Sequence, residues 1–531
     1  MSLPRLSRAH WPLSAYRRHE LPERVLQFGT GMLLRALVAA AVDAANRVGA
    51  FTGRIVVVQS TPHGNARALH TQDALFTLVE RGLQDGTPVE RTRLIGAVAR
   101  ALVADTEWEA VRAAVTQPEL QVIVSNVTEA GFRLDDDLAT IGAGSAPASF
   151  PAKLTDVLHA RFARLRDGPP LFVIPTELVP DNGPRLAAMV DQLAMRAVRG
   201  DEFRRWLSRR VRFCSSLVDR ITTGMPPASV RAALESRLGY TDALITVAEP
   251  YSFWAIEGDP AALRAAFPID ISPEVVFTPD IGSYQERKLR LLNGSHTALA
   301  PLALLAGVRT VRDAAEHPRL GPFLRRLLFE ELVPGTALPP AAAEAFATSV
   351  VDRFRNPWLE HEWRVIATNQ TTKMRVRVAP AIVGFTAKRH CAPAALALAC
   401  AAHLRYLRPI GEQSGAEAEG WWRGVTYPIV DADLPLVTRH WQAVDADRAP
   451  GPVPRDRLER LAARALADAT LWGSSLAHLP GFLEATTRSL VALERDGVEA
   501  ALTGCRRRPR PPSAPSRRRS WREASPRWRS R

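Results

Sequence analysis

The chain has 531 residues, too many for one ordinary core, so its length predicts two domains with appendages. Apolar residues make up 46% and charged residues 23%, which excludes an intrinsically disordered chain, and four cysteines in so long a sequence exclude a disulfide framework. The net charge of +14 would suit a nucleic-acid binder, but eleven arginines against one glutamate in Arg506–Arg531 supply +10 of it and leave +4 for the other 505 residues. That tail, residues 505–531, is rich in Pro, Ser and Arg with no apolar period, so it is expected to be disordered. It could hold polyanions loosely, and no specific nucleic-acid partner is expected. No apolar run approaches the roughly 18 residues that cross a bilayer. The opening "MSLPRLSRAHWPLSAYRRHE" carries charges without a continuous apolar stretch. Neither a membrane partner nor a secretory leader is therefore expected, and a reducing cytoplasm suits the few cysteines.

Along the chain, "RVLQFGTGMLLRALVAAAVDAANRVGAFTGRIVVVQS" opens the first organised unit. An apolar run, Val25 to Phe28, meets Gly29 and Gly31; a helical pattern of about sixteen residues follows, then a second apolar run, Ile55 to Val58. Strand, glycine turn, helix and strand make a βαβ unit of a parallel sheet. Further strands are expected at 75–81, 120–128 and 170–178, with helical stretches between, and such alternation predicts an α/β domain over 20–279. From 280 to 504, alanine- and leucine-rich helical segments dominate and predict a mostly α-helical second domain. The expected fold class is α/β: a Rossmann-like parallel-sheet domain followed by a mostly helical substrate domain.

The Gly29-x-Gly31 turn is a partial dinucleotide fingerprint, with Leu34 where a third glycine would stand. Phe28, Gly29 and Gly31 would lie against the cofactor, the glycines letting backbone approach a pyrophosphate at the helix N-terminus. At the end of the second strand the ribose-binding acid is replaced by Gln59 and Ser60, with Arg67 nearby, so this position does not separate NAD from NADP. "VSNVTEAGF" (124–132) reads equally well as a strand-end ligand loop or as an ordinary capped loop; in "PTELVPDNGPRL" (175–186) Asp181-Asn182-Gly183 is first of all a turn signal, and in "LVDRITTGMPP" (217–227) Asp219 and Arg220 end an apolar stretch as a helix cap also would.

"RKLRLLNGSHTALAP" (287–301) sets Lys288, Asn293 and His296 among leucines and alanines. Counted along an α-helix from Lys288, Asn293 falls at about 140° and His296 at about 80°, within one arc. A satisfied buried histidine with two solvated neighbours would explain this; so would a proton-transfer site. A lysine acts as acid or base once burial or nearby positive charge lowers its pKa. An asparagine amide can donate to a carbonyl or alkoxide oxygen.

Taken together these motifs resemble the polyol-specific long-chain dehydrogenase/reductase family. "KLRLLNGSH" has its Lys-x4-Asn-x2-His spacing, and "QFGTGMLLRA", "VSNVTEAG" and "LVDRIT" resemble its cofactor turn, strand-end segment and Val-Asp-Arg-Ile motif. "AEPYSFWAIEG" and "DRFRNPWLEH" also resemble family segments, in one colinear order over about 20–504. "NGSH" and "FWAIEG" look most like the family's uronate-reducing branch, whereas Met32 and Leu33 depart from the commoner wording.

The resemblance implies an NAD-dependent oxidoreductase, without a metal, that interconverts a keto-uronate and its aldonate. Lys288 would be the acid–base group, Asn293 and Asn182 would polarise the reacting oxygen, His296 would position a hydroxyl, and Asp219 would orient the site or relay protons. Phe28, Gly29, Gly31, Gln59, Thr128 and Glu129 would bind NAD. A sugar-acid partner needs a cation, for which Arg290, Lys373, Arg375 and Arg377 are candidates, although such a group also reads as a solvated face. Two other readings stay open: a different keto-sugar or polyol substrate, and a catalytically idle nucleotide binder that docks on nucleic acid through the tail.

Overall fold

The structure, a computed structural model, describes residues 3–10, 19–127, 131–134, 141–198, 200–445 and 448–504. Thr128, Glu129 and the 505–531 tail fall outside the described residues.

Eight strands come first along the chain: β1 (Glu23–Phe28), β2 (Arg54–Gln59), β3 (Phe76–Gln84), β4 (Thr87–Ile95), β5 (Val98–Val103), β6 (Val122–Ser125), β7 (Leu171–Pro175) and β8 (Val211–Phe213). Six of them form one sheet in the order β5-β2-β1-β6-β7-β8, with every neighbouring pair parallel. The order reverses between β1 and β6, and such a switch point opens a crevice at the carboxyl ends of the strands. Successive side chains leave a strand on opposite faces. Val25, Ile55, Val57 and Val122 enter one apolar layer, and Leu26, Val56, Val58 and Ile123 enter the other. With both faces covered, every position must be apolar, which is why these strands read as unbroken apolar runs.

The strand read at 75–81 forms as β3 but lies outside the parallel sheet. Asp85 and Gly86 follow it, with φ of 52° and 74°. An Asp-Gly pair in this left-handed conformation is the favoured tight hairpin turn, and it folds β3 back antiparallel on β4. The outer place in the parallel sheet goes instead to β5, "VARALV", which has no β-branched run to announce it.

Five more strands follow: β9 (Ser216–Asp219), β10 (Thr222–Thr223), β11 (Thr246–Ala248), β12 (Phe253–Glu257) and β13 (Val275–Thr278). They build two small sheets, β10-β11-β3-β4 and β13-β12-β9. From Gly282 onward helices dominate around one apolar core reaching from Leu291 to Leu502. An antiparallel meander, β14 (Pro409–Ser414), β15 (Glu417–Trp422) and β16 (Val425–Val430), interrupts them and was not anticipated. Among the described residues no helix is long and apolar enough to cross a membrane.

Candidate active site

At the carboxyl end of β1 the chain turns through Gly29, whose φ is +122°. A Cβ there would stand 2.8 Å from Leu34 Cδ1 and 3.1 Å from the Asn126 carbonyl oxygen, so the turn is closed to other residues. Gly31 precedes the helical run Met32–Arg47, and a Cβ on it would meet nothing within 4 Å. The first glycine therefore shapes the turn, and the second keeps open space beside a helix N-terminus at the switch point. This arrangement fits a dinucleotide pyrophosphate. The Phe28 side chain does not reach that space: it packs edge-on against Phe150 in the core, and its carbonyl accepts from the Asn126 amide at 3.1 Å. Gln59 shapes the next loop, donating to the Thr61 carbonyl at 3.0 Å and accepting from the Ala66 amide at 3.0 Å.

The helix bearing Lys288 is not a plain α-helix. Gly282–Arg287 and Gly294–Leu305 are α-helical, but Lys288–Asn293 between them is a π-helix. A π-helix takes more residues per turn than an α-helix, so five residues sweep a smaller angle and Lys288 and Asn293 lie closer in angle than an α-helical count gives. Side chains one turn on bond back to the wide segment. Ser295 Oγ donates to the Leu291 carbonyl at 2.6 Å, and Thr297 Oγ donates to that of Asn293 at 2.7 Å. His296 Nδ1 lies 3.0 Å from the Leu292 carbonyl. A carbonyl only accepts, so Nδ1 carries the proton and Nε2 is left as an acceptor.

Lys288, Asn293 and His296 line one cavity of about 340 Å³, with Asp219, Arg353 and His361 in the same wall. Lys288 Nζ donates to the Val218 carbonyl at 2.7 Å and stands 3.9 Å from Asp219. Burial pushes the lysine below its ordinary range, and Asp219 only partly opposes this. Burial would raise Asp219, but the Arg353 guanidinium, and after it Lys288, hold the carboxyl below its ordinary range. The ends of this pair respond differently because Arg353, bonded at 2.8 and 2.9 Å, is the main partner of Asp219. Burial, reinforced by His361, holds His296 well below its usual value, so its ring is neutral near pH 7. The Asn293 amide makes no hydrogen bond to protein among the described residues and is free to serve a ligand.

Lys373, just before the π-helical segment Met374–Val378, and Arg377 within it also line the cavity, Lys373 Nζ donating to the Ile366 carbonyl at 2.8 Å and Arg377 Nη1 to Thr297 Oγ at 3.3 Å. The other two candidate cations are held elsewhere. Arg290 bonds to the carbonyls of Val376 and Arg377, and Arg375 pairs with Asp433 and the Thr470 carbonyl. Asn182 lies outside the cavity, buried, with Nδ2 donating to the carbonyls of Pro175, Glu177 and Ser216 and Oδ1 accepting from the Ser216 amide. An amide so occupied ties β7 to β9 and has no donor left for a substrate. The residue this loop presents to the cavity is Leu178, 68% exposed. A larger cavity of about 670 Å³, between Leu304–Val308 and the β15–β16 hairpin, contains none of these polar residues. No cluster of three or more His, Cys, Asp or Glu side chains able to hold a metal occurs among the described residues.

Sequence reasoning gave no role to Arg353, Glu249, His361 or Leu178. Arg353 and His361 lie in "DRFRNPWLEH" and Glu249 lies in "AEPYSFWAIEG", segments noted above only for their likeness to a family.

A parallel sheet in this strand order, with a glycine turn at its switch point and a buried lysine lining a polar cavity, fits a dinucleotide-dependent dehydrogenase. Residues 23–266 match the family model described as the mannitol dehydrogenase Rossmann domain, and residues 280–422 match the mannitol dehydrogenase C-terminal domain. The chain belongs to the mannitol dehydrogenase family and is an NAD-dependent dehydrogenase/reductase. It is 35% identical over 495 residues to altronate oxidoreductase of Halalkalibacterium halodurans, covering 92% of this chain and 94% of that one. Identity to altronate oxidoreductase of Klebsiella pneumoniae (strain 342) is also 35%, over 512 residues covering 94% and 99%. Pseudomonas fluorescens mannitol 2-dehydrogenase, solved as a ternary complex with NAD and D-mannitol, is 26% identical over 92% of this chain and 95% of that one, with a TM-score of 0.63. A D-sorbitol dehydrogenase in substrate-free form shares the fold with a TM-score of 0.71 at 21% identity over 91% and 96%.

Proposed function

We propose that this protein interconverts a keto-uronate and its aldonate, specifically tagaturonate and altronate, with NAD(H). The observation that carries the reading is Lys288: a buried lysine on a polar cavity, its proton affinity lowered by burial, beside an asparagine amide with no protein partner among the described residues. The likeness to altronate oxidoreductases over almost the whole chain supports the substrate. Gly29, Gly31 and the N-terminus of the Met32–Arg47 run would hold NAD, which would supply or accept the hydride.

In reduction, protonated Lys288 gives its Nζ proton to the keto oxygen as that oxygen gains charge; in oxidation the neutral amine takes the hydroxyl proton. Asn293 donates its amide hydrogen to the same oxygen and stabilises developing charge. His296, its Nδ1–H tied to Leu292, offers Nε2 as acceptor to a neighbouring substrate hydroxyl. Asp219 keeps a negative charge beside Lys288 and favours its protonated form between turnovers. Lys373 and Arg377 give the cavity a cationic side for the uronate carboxylate. We assign cofactor binding to residues 20–279 and the substrate wall to 280–504.

The test is a side-by-side assay of NADH consumption with tagaturonate, fructuronate and fructose. A kcat/KM for tagaturonate at least tenfold above the other two supports the assignment, and a preference for fructose refutes it.

A further inference from the structure

Arg353 lies on the helix Pro340–Phe354, only 6% exposed. Its Nη1 and Nη2 donate to the two Asp219 oxygens at 2.9 and 2.8 Å, and its Nε and Nη2 donate to the two Glu249 oxygens at 2.9 and 2.8 Å. The guanidinium also sits 4.5 Å over the Tyr251 ring. Asp219 ends β9 and Glu249 follows β11, so one side chain from the helical half holds carboxylates from two different sheets. Nothing in the proposed chemistry yet uses it.

Four charges stand at the centre of this contact. Two carboxylates, Asp219 and Glu249, face two cations, Arg353 and Lys288, in a buried space. Arginine cannot release its proton near neutrality, whereas lysine can. Of the two cations Lys288 is therefore the one that yields when the balance changes; burial also pushes Glu249 above its ordinary range, and Arg353 opposes that rise. Other groups facing Lys288 do not vary in the same way. Arg220 is paired with Glu80, and Arg287 lies 4.4 and 4.6 Å over the rings of Phe253 and Phe346. Arg377 and Lys373 stand across the cavity, and burial lowers the proton affinity of both His296 and His361.

We propose that Arg353 is a positioning residue for the reaction: by pairing with Asp219 and Glu249 together, it sets the charge balance around Lys288 and so the pH at which that lysine gives up its proton. This rests on reading Lys288 as the acid–base group. Removing Arg353 leaves two carboxylates facing one cation, and Lys288 holds its proton to higher pH. Removing the Glu249 charge leaves one carboxylate facing two cations, and Lys288 releases its proton at lower pH.

The experiment uses the full chain as wild type, Arg353→Gln, Arg353→Lys and Glu249→Gln. Lys288 is titrated directly by competitive labelling with acetic anhydride across pH, read at its peptide by mass spectrometry, with thermal unfolding as the check on folding. The Arg353→Gln midpoint is expected to rise by about one pH unit or more, that of Glu249→Gln to fall by a similar amount, and Arg353→Lys to stay near wild type. The high-pH limb of ketone reduction should move with each midpoint. Folded glutamine variants that both label at the wild-type midpoint overturn the proposal, as does a shift of either in the opposite direction. If Arg353→Gln does not fold, Glu249→Gln decides in the same way. The labelling needs no substrate, so a wild-type enzyme idle on every keto-uronate would refute the proposed function while leaving this result readable.

Discussion

Replacing Lys288 by alanine separates the chemistry from binding and folding. The lysine donates one hydrogen bond, to the Val218 carbonyl at 2.7 Å, and its carboxylate neighbour Asp219 keeps both bonds to Arg353. The truncation therefore leaves no buried charge unpaired, which is the usual source of a severe folding loss. Gly29, Gly31 and the Met32–Arg47 run are untouched, so NADH affinity should stay within about threefold of wild type, a difference of about 0.7 kcal/mol. A positioned general acid is worth about 100- to 10,000-fold in rate. That corresponds to about 3 to 5 kcal/mol of the barrier. The measurement is kcat for keto-uronate reduction, with NADH binding followed by fluorescence titration and folding by thermal unfolding. Arginine at 288 should fail as well, since a guanidinium keeps its proton. Reduction by the alanine variant within tenfold of wild type, with NADH bound normally, would refute the catalytic reading of this lysine.

Gly29→Ala should lower Tm and weaken NADH binding together, because its φ of +122° and the 2.8 Å approach to Leu34 strain the turn itself. Gly31→Ala should leave Tm unchanged and weaken only NADH binding, since its Cβ meets open space; equal Tm losses in the two variants would contradict this division. Lys373→Met should raise KM for a keto-uronate by at least tenfold and alter KM for fructose much less, and an equal effect on both would remove the carboxylate role. EDTA should leave turnover unchanged, as carbonyl activation is assigned to Lys288 and Asn293; activity lost to chelation and restored by zinc would overturn that assignment. A chain ending at Gly504 should keep its turnover and lose salt-sensitive retention on heparin, and an inactive product would place part of the tail in the fold.

Local information in the sequence was enough to locate the glycine turn, the strands that meet it and the helix carrying Lys288, Asn293 and His296. Those features depend on residues close together in the chain: a glycine pair between apolar runs, and two side chains five residues apart. Tertiary structure decided the rest. The 75–81 strand left the parallel sheet because its Asp-Gly turn paired it with β4, a competition between partners that an apolar run does not reveal. A π turn brings Lys288 and Asn293 closer in angle than a count at α-helical spacing gives. The Asn182 amide is taken up by three carbonyls, one of them 34 residues away, while that of Asn293 has no partner among the described residues. The charge partners of Lys288 are assembled over still longer spans, with Arg353 lying 134 residues from Asp219 and 104 from Glu249. Residue type and spacing can nominate a lysine, but its proton affinity depends on burial and on charges brought near only by folding.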